Sequence, residues 1–327
     1  MALKFALAGA AVAVLVQTSV YADGRTADTQ SKSQPSPCSA DALCVGDSEA
    51  FPTLASALAV AREGDTIEIV AATYRETAKI TAPNVTLRGI GGRPHFDCAG
   101  MRISDDKACL LLAADGITLD NLEISGAKIP DRLGANGACV RNEPNLNFTL
   151  KRILCHGSQD GVLSAAGTIL IEDSEFFDNG WTGLTHNVYF GGNCSVTVRR
   201  SVFRDARVGQ EFKSRCFATD ISDSTFRSRK GSRDLDIPDG GETTVYRSTI
   251  EKTRSAVDRE IIGFTPESCA HPGDMVLKDV RIVNSRPAAK IVNFNRCVGH
   301  PIILEDVTFE GIKPKLVGFI KSEHGAN

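Results

Sequence analysis

Apolar and polar residues alternate in short stretches along most of the chain, and one pattern recurs. Each copy has an apolar-polar-apolar triplet, a polar pair and a second alternating triplet. Alternation with a period of two predicts strands, and the copies are too short for a helical period. The full copies are ITLDNLEI (117–124), FTLKRILC (148–155), ILIEDSEF (169–176), VTVRRSVF (196–203), TDISDSTF (219–226), MVLKDVRI (275–282) and IILEDVTF (302–309), and TVYRSTI (244–250) is a shorter eighth.

The spacing of the copies predicts how they assemble. The second residue of the polar pair recurs at steps of 21 to 32 residues, first at Asn121 and last at Asp306. No unit of this size can bury its apolar side alone, so neighbouring units must stack. We therefore predict an all-β solenoid of parallel strands over residues 45–327, with the extra residues looping out of some coils.

A helix is predicted before the first strands. FPTLASALAVAREGD (51–65) has apolar residues at helical spacing, from Leu54 to Ala61, and Gly64 as a stop signal. The segments TIEIV (66–70) and NVTLRGIGG (84–92) that follow are predicted strands. Because exposed strand edges at the end of a solenoid invite pairing, the helix is the natural cap.

The first residues predict export. Residues 1–22 have one early charge, Lys4, then an apolar run and a small-x-small cleavage pattern ending at Ala22, as in a secretory signal peptide. Residues 23–44 are polar and are predicted to be a flexible lead-in. No later stretch is apolar enough to span a membrane. We expect a periplasmic or extracellular protein.

The ten cysteines of an exported chain favour disulfides. None has CxxC spacing, and the six histidines do not cluster with them, so zinc is not expected. Four histidines, among them His95, are predicted in loops, and His156 in a polar turn. The connectivity stays open, but the plausible pairs are Cys38/Cys44, Cys98/Cys109, Cys139/Cys155, Cys194/Cys216 and Cys269/Cys297.

The helix, GDTIEIVAATYRE, NVTLRGIGG and the repeated strands together resemble the right-handed parallel β-helix proteins of the pectin-lyase-like superfamily. The resemblance covers roughly residues 45–320. It implies chemistry on polysaccharides, mostly acidic ones, although the superfamily also has non-catalytic members. The chain lacks the WIDH-type and RxPxxR motifs of pectate lyases, the GHG and RIK motifs of polygalacturonases and the DPHD motif of alginate epimerases. No family's catalytic residues can therefore be assigned by position.

Charge limits the partners. The formal net charge is −3, and no basic run with interleaved aromatic residues suggests nucleic acid. We expect a monomer whose partner is an acidic polysaccharide.

Candidate chemistry lies on the strands that follow the repeats in four consecutive coils. Aligning Val188, Phe212, Leu235 and Ile261 as inward residues places their neighbours outward by alternation. Carboxylates on adjacent strands would then lie within roughly 10 Å of one another and would need a cation or raised pKa values. The first outward row would be Asn187, Glu211, Asp234 and Glu260, and the second Tyr189, Lys213, Asp236 and Ile262.

The favoured interpretation is a lyase that cleaves a uronic-acid-containing glycan by β-elimination. Calcium, which prefers oxygen ligands, would be held by Glu211, Asp234 and Asp239, with Asp236 beside it. Lys213, or Arg215, would be the base, and Tyr189 or His186 the acid. Lys213 is the better base, because the pKa of lysine shifts more readily than that of arginine. The predicted substrate-binding residues are Asn187, Trp181, Arg233 and Arg259.

Two alternatives stay open. A glycoside hydrolase would use two carboxylates, Glu211 with Asp234 at the retaining distance, or Glu211 with Asp236 or Asp239 at the inverting one. A non-catalytic glycan-binding or envelope scaffold would carry the same residues as an ordinary wet surface with cross-strand ion pairs. It predicts that substituting Lys213 changes no activity.

Overall fold

Successive strands of each coil belong to three long parallel sheets, as predicted from the repeats. The structure is a computed structural model, and it describes residues 36–144 and 146–323. The predicted signal peptide, 1–22, lies outside the described residues. No helix in the described part of the chain is long and apolar enough to cross a membrane.

Sheet A has twelve strands and sheets B and C have ten each, all paired in parallel with the strand one coil away. The strands of sheet A are β1 (Leu43–Val45), β2 (Thr66–Val70), β5 (Thr86–Ile90), β8 (Ile117–Asp120), β11 (Phe148–Lys151), β14 (Gly167–Glu172), β17 (Cys194–Arg199), β20 (Ala218–Ser222), β23 (Glu242–Tyr246), β26 (Met275–Lys278), β29 (Ile302–Glu305) and β32 (Ile320–Glu323). The strands of sheet B are β3 (Thr73–Tyr74), β6 (His95–Asp97), β9 (Glu123–Ser125), β12 (Leu154–His156), β15 (Glu175–Phe177), β18 (Val202–Arg204), β21 (Thr225–Ser228), β24 (Thr249–Lys252), β27 (Arg281–Asn284) and β30 (Thr308–Gly311). The strands of sheet C are β4 (Ala78–Ile80), β7 (Ala108–Leu112), β10 (Ala138–Asn142), β13 (Asp160–Ser164), β16 (Val188–Phe190), β19 (Phe212–Ser214), β22 (Leu235–Ile237), β25 (Glu260–Phe264), β28 (Lys290–Asn293) and β31 (Lys315–Val317).

The recurring polar pair forms the turn between sheets A and B. In every copy of the repeat, two residues separate the end of the strand in sheet A from the start of the strand in sheet B. The intervening residue that set the spacing has a left-handed backbone, which polar residues such as Asn and Asp tolerate best. These residues, with φ between 44° and 57°, are Asn121, Arg152, Asp173, Arg200, Asp223, Arg247, Asp279 and Asp306.

A stack of serines lines the inside of this turn. In four consecutive coils the residue after the left-handed one is Ser174, Ser201, Ser224 or Ser248, and all four are buried. Each hydroxyl accepts the backbone N–H of the equivalent residue one coil earlier, at 3.0–3.2 Å. The stack satisfies backbone donors that the turn would otherwise bury without partners.

The apolar core runs through the middle of the coils. Phe176, Phe203 and Phe226 occupy equivalent positions in successive strands of sheet B, and their rings stack at 5.2 Å. All three are fully buried. Aromatic ladders of this kind add to the burial of apolar surface in holding coils in register.

The capping helix is shorter than predicted. α1 (Leu54–Leu58) starts at the capping box of Thr53 and Ser56 and buries Leu54 and Ala57. It ends early because the Asp65 carboxylate accepts the backbone N–H of Arg62 and folds the following residues into a turn. A single 3-10 turn, Asp131–Leu133, lies in the loop before β10.

Five disulfides are present, and their pairing is the one that the sequence suggested as plausible. The bond between Cys38 and Cys44 lies beside β1, which pairs with β2. The end of the predicted lead-in, 23–44, therefore belongs to sheet A. Five disulfides are typical of proteins that fold in an oxidising compartment.

Candidate functional site

In four consecutive coils, two successive buried residues lie at the start of the sheet C strand, and strict alternation fails there. Both members of each pair are completely buried. The outward orientation predicted for Asn187, Glu211 and Asp234 is therefore wrong. The physical reason is the corner between sheets B and C, where the chain bends and turns the first side chain of each pair into the interior. The pairs are Asn187 with Val188, Glu211 with Phe212, Asp234 with Leu235, and Ile261 with Ile262.

The inward carboxylates form a polar cluster inside the solenoid. Asn187 donates to Glu211 at 2.6 Å, and the backbone N–H of Ala206 donates to the same carboxylate. The ammonium of Lys252, fully buried, lies 3.3 Å from Asp234. Burial, with the charge of Asp234, raises the pKa of Glu211 well above its usual value. Burial raises the pKa of Asp234 to about 6, against the opposing effect of Lys252.

The predicted calcium ligands consequently do not share one position. Glu211 and Asp234 lie inside, whereas Asp239 lies at the outer face, where Arg215 and Ser268 donate to it at 2.8 Å. Whether the protein needs calcium stays a prediction, but this set of three carboxylates is not its binding site.

The outer face of sheet C carries the second predicted row, with one correction. Tyr189 pairs with Lys213, and Lys213 with Asp236, in neighbouring strands. The residue beside Asp236 is Gly263 and not Ile262, because the register shifts by one between Glu260 and Ile262. The first predicted row keeps Glu260. Its other positions are held by the residues one place earlier in the chain than predicted, which are His186, Gln210 and Arg233.

Lys213 and Arg215 are joined by one acidic side chain. The Lys213 ammonium lies 3.1 Å from Glu267 and 3.5 Å from Asp236. Arg215 donates to Glu267 at 2.5 Å, to Asp239 at 2.8 Å and to the hydroxyl of Tyr189 at 3.0 Å. Burial lowers the pKa of Arg215, but the ion pairs with Asp239 and Glu267 outweigh it and raise the pKa. Arg215 is therefore a permanent cation, which excludes the alternative role of base.

Arg233 anchors the opposite side of Asp236. Its guanidinium donates to Asp236 at 2.9 Å and to Glu260 at 2.6 Å. Burial raises the pKa of Asp236, although Arg233 and Lys213 oppose the shift. The predicted substrate-binding residue Arg233 is thus engaged by protein carboxylates.

His186 is nearly completely buried behind Tyr189, with the two rings edge to face at 5.7 Å. Burial, and then the charges of Lys213 and Arg215, lower the pKa of His186 to about 3. The backbone N–H of Gln210 donates to Nδ1, so the proton of the neutral ring is on Nε2. A neutral imidazole cannot act as the predicted general acid by giving up an imidazolium proton. His186 instead supports Tyr189.

Glu267 was not predicted. It lies between β25 and β26, next to Ser268 and two residues before the disulfide between Cys269 and Cys297. Burial raises the pKa of Glu267, but Arg215 and Lys213 outweigh this and lower it. A signal in the sequence was the pairing of Cys269 with Cys297, which ties this loop to the next coil.

Arg141 was also missed, and among the described residues no carboxylate lies close enough to form an ion pair with its guanidinium. It lies one strand beyond Leu163 in the row that contains Tyr189. Burial lowers its pKa, although Asp160 and Glu143 act in the opposite direction. Within residues 36–144 and 146–323, its guanidinium forms no ion pair or hydrogen bond.

Arg141 and Tyr189 line the same surface depression, with a volume of 340 Å³. Gly191 and Gly192 form part of its wall, where a Cβ on Gly191 would lie 3.1 Å from the Tyr189 hydroxyl and one on Gly192 would clash with the Ala165 carbonyl oxygen. The depression continues the polar row of Tyr189, Lys213 and Asp236 toward the first coils. The remaining lining residues are Asn136, Leu163, Ser164 and Ala165.

The remaining predicted substrate-binding residues lie outside these contacts. Trp181 is half exposed, and the ammonium of Lys128 lies 5.1 Å from its ring. Arg259 is exposed. Neither contacts the group around Lys213, and Asn187 is in the interior.

The fold is similar to that of carbohydrate-active proteins of known structure. An alginate lyase from Paenibacillus sp. str. FPU-7 matches with a TM-score of 0.60 and 14% identity, over 86% of this chain and 98% of that one. The pectate lyase Pel9A matches with a TM-score of 0.55 and 11% identity, over 84% of this chain and 72% of that one. A rice weevil pectin methyl esterase matches with a TM-score of 0.53 and 12% identity, over 86% and 92%.

No family model and no curated protein matches the sequence. The structural matches and the three parallel sheets show the parallel β-helix fold that the sequence predicted. Identity this low shows the fold and leaves the activity to the site.

Proposed function

We propose that the protein is a polysaccharide lyase that cleaves an acidic, uronic-acid-containing glycan by β-elimination on the outer face of sheet C. The observation that carries the proposal is the depression lined by both Arg141 and Tyr189. Arg141 supplies a cation that forms no ion pair within the described residues, and Tyr189 supplies a phenol whose oxygen accepts a hydrogen bond from Arg215. The fold similarity to an alginate lyase and a pectate lyase supports the same substrate class.

Arg141 would bind the uronate carboxylate. A guanidinium stays charged at physiological pH and presents a planar fork that matches a carboxylate with two hydrogen bonds. Neutralising the carboxylate makes the neighbouring C5 proton more acidic, which is the first requirement of the elimination. Lys213, Arg215 and Arg233 are less suited to this role because protein carboxylates already bind them.

Tyr189 and Lys213 would carry the two proton transfers. The Arg215 N–H donates to the Tyr189 oxygen and would stabilise negative charge on that oxygen when Tyr189 acts as the base that takes the C5 proton. Lys213 lies between Asp236 and Glu267, whose charges balance an ammonium, so it can give a proton to the departing O4. The C5–H and C4–O4 bonds break, a C4=C5 bond forms, and water resets both groups. These roles are the reverse of those that the sequence suggested.

The test is an assay of the mature chain on acidic polysaccharides, following both new reducing ends and the ultraviolet absorbance of the new C=C bond. We expect both signals to rise together. Tyr189→Phe should lower kcat by about 10²–10⁴-fold, the usual contribution of a proton-transfer group. The matched control is Tyr246→Phe on sheet A, where Arg247 lies 4.1 Å from the ring. Equal activity of the two variants would overturn the role of Tyr189.

Lys213→Ala should abolish turnover with little change in melting temperature, because Arg233 still pairs with the buried Asp236. Lys278→Ala, on the outer face of sheet A, is the control and should keep full activity. Unfolding of Lys213→Ala would show that this residue is structural. Repeating the assay with a chelator tests the predicted need for calcium: an unchanged rate removes it.

A glycoside hydrolase is the second candidate, and one observation favours it. Asp236 and Glu267 lie on either side of the Lys213 ammonium, and their pKa values are shifted in opposite directions. Two carboxyl groups whose pKa values are shifted in opposite directions are typical of a general acid and its partner base. The pairs predicted with Glu211 are wrong because that residue is interior. Reducing ends without the absorbance would support this candidate, and silence on both would favour a non-catalytic glycan-binding scaffold.

Export completes the proposal. The five disulfides support folding in an oxidising compartment, consistent with a periplasmic or extracellular protein that meets polysaccharide there.

A further inference from the structure

Three side chains with metal-binding atoms converge on the outer face of sheet B. His95, Glu123 and His156 come from β6, β9 and β12, which are adjacent strands of three consecutive coils. Nε2 of His156 lies 3.0 Å from Oε1 of Glu123, and Nε2 of His95 lies 3.8 Å from the same oxygen. In the part of the chain that the structure describes, this is the one such group of three.

The separations fit a single small cation. Zinc binds imidazole nitrogen and carboxylate oxygen at about 2.0–2.2 Å in a tetrahedron, whose edges are then about 3.3–3.6 Å. The two measured separations lie on either side of this range. All three ligand atoms lie within 4.8 Å of one another, so small side-chain rotations suffice.

The surroundings hold the ligands in place and leave one position open. The ring of Phe177 stacks on His156 at 4.8 Å, and the guanidinium of Arg204 covers the other side of Phe177 at 4.2 Å. The hydroxyl of Ser125 lies 2.8 Å from the proposed ligand atom, Nε2 of His95, and a bound metal would replace this hydrogen bond. The ligand side chains are each 26% exposed, so water can reach the fourth position of a tetrahedron.

We propose that His95, Glu123 and His156 form a binding site for a divalent transition metal, with Zn²⁺ as the expected ion. Two imidazoles and one carboxylate suit zinc, copper and nickel better than calcium or magnesium. The site is on sheet B, whereas the candidate active site is on sheet C, so it does not depend on the proposed lyase activity. By linking three coils, the bound metal stabilises the folded chain. The sequence argued against zinc because no cysteines have CxxC spacing and the histidines do not cluster with the cysteines. The ligands proposed here include no cysteine, and they are 28 and 33 residues apart in the chain.

The experiment is calorimetric titration of the chelator-treated protein with Zn²⁺, together with thermal melting with and without the metal. We expect one zinc ion per chain and a higher melting temperature. His95→Ala and His156→Ala should each lower the affinity by more than the about 10- to 100-fold that is typical of losing a supporting residue. Co²⁺ in place of zinc should give the visible absorption of a tetrahedral site.

The control is His300→Ala. His300 is 2.8 Å from Asp274, so it is also a histidine–carboxylate pair, but it lacks the third ligand. This variant should bind zinc like the parent. Unchanged affinity in the variant that lacks both His95 and His156, or no binding by the parent at micromolar zinc, would overturn the proposal. Either result would mean that the three side chains form only a hydrogen-bonded network.

Discussion

The turn between sheets A and B and the corner between sheets B and C differ in how they treat polar residues. At the turn, two successive residues lie outside, so the alternation of the next strand is shifted by one, and the left-handed residue is exposed, as in the pair of Arg247 with Asp223. At the corner, two successive residues point inward, and Glu211 and Asp234 are enclosed with Lys252. Charged residues therefore contribute differently to stability in the two places, because those at the turn are exposed to solvent and those at the corner are buried.

The corner should be the more sensitive place, and the largest effect is expected for its cation. Lys252→Met leaves Asp234 without its ionic partner in the interior, and removing one partner of a buried pair typically costs about 3–5 kcal/mol. Chemical denaturation measures the loss. Lys278→Met is the control, since Lys278 pairs with Glu305 on the surface and its loss should leave the free energy of unfolding nearly unchanged. Equal losses would mean that the corner cluster is hydrated.

A pH effect should also come from the corner. Glu211 has a raised pKa in the folded protein, so its contribution is fully present below the unfolded pKa and is lost as the pH rises through the folded one. The free energy of unfolding should fall by about 1.4 kcal/mol for each unit of pKa difference. Melting curves between acidic and neutral pH measure this slope. Glu211→Gln should reduce this slope. An unchanged slope would mean that other titratable groups cause the pH dependence of stability.

The interior of the turn should be intermediate. Ser224→Ala removes the acceptor of the buried Ser201 N–H, and an unsatisfied buried donor costs about 1–3 kcal/mol. Denaturant titration of this variant is compared with that of Ser222→Ala, whose side chain is only half-buried. If the two variants are equally stable, the serine stack does not contribute to the stability of the turn.

The outside of the turn should be the most tolerant. Arg247 has a φ of 44°, so Arg247→Val places a β-branched residue in a left-handed conformation, whereas Arg247→Gly does not. Both variants lose the same exposed ion pair, and the valine variant should be less stable by about 1–2 kcal/mol. The difference between their melting curves measures the backbone term alone. Equal stability would indicate that the backbone relaxes at this position.

Much of the fold could be predicted because the repeat is local. The pattern from Ile117 onward gives strand, turn and strand within eight residues, and the structure has them at those places. The five cysteine pairs are also those that the spacing made plausible, since each pair is at most 28 residues apart. When the coils stack, equivalent residues of successive repeats become neighbours, and the repeated pattern in the sequence identifies which residues are equivalent.

The candidate site could be predicted only in part. The row of Tyr189, Lys213 and Asp236 was predicted because each of the three residues is inside its own strand, where alternation holds. Glu211 and Asp234 were misplaced by one residue at the corner, where no local pattern marks the extra inward position. Glu267 contacts Lys213 although the two residues are 54 positions apart in the chain, and a short-range sequence pattern cannot predict such a contact.

The sequence by itself determined the solenoid, the order of its strands and the left-handed turns, because these depend on neighbours within one repeat. Only the tertiary structure decided which carboxylates are buried, which arginine lies in the depression beside Tyr189, and which histidines meet one glutamate. These properties depend on side chains from different coils that share one small volume. Burial and the distances between charges are set by that arrangement, and they differ at Asp234 and Asp239 although the two residues are close in the chain.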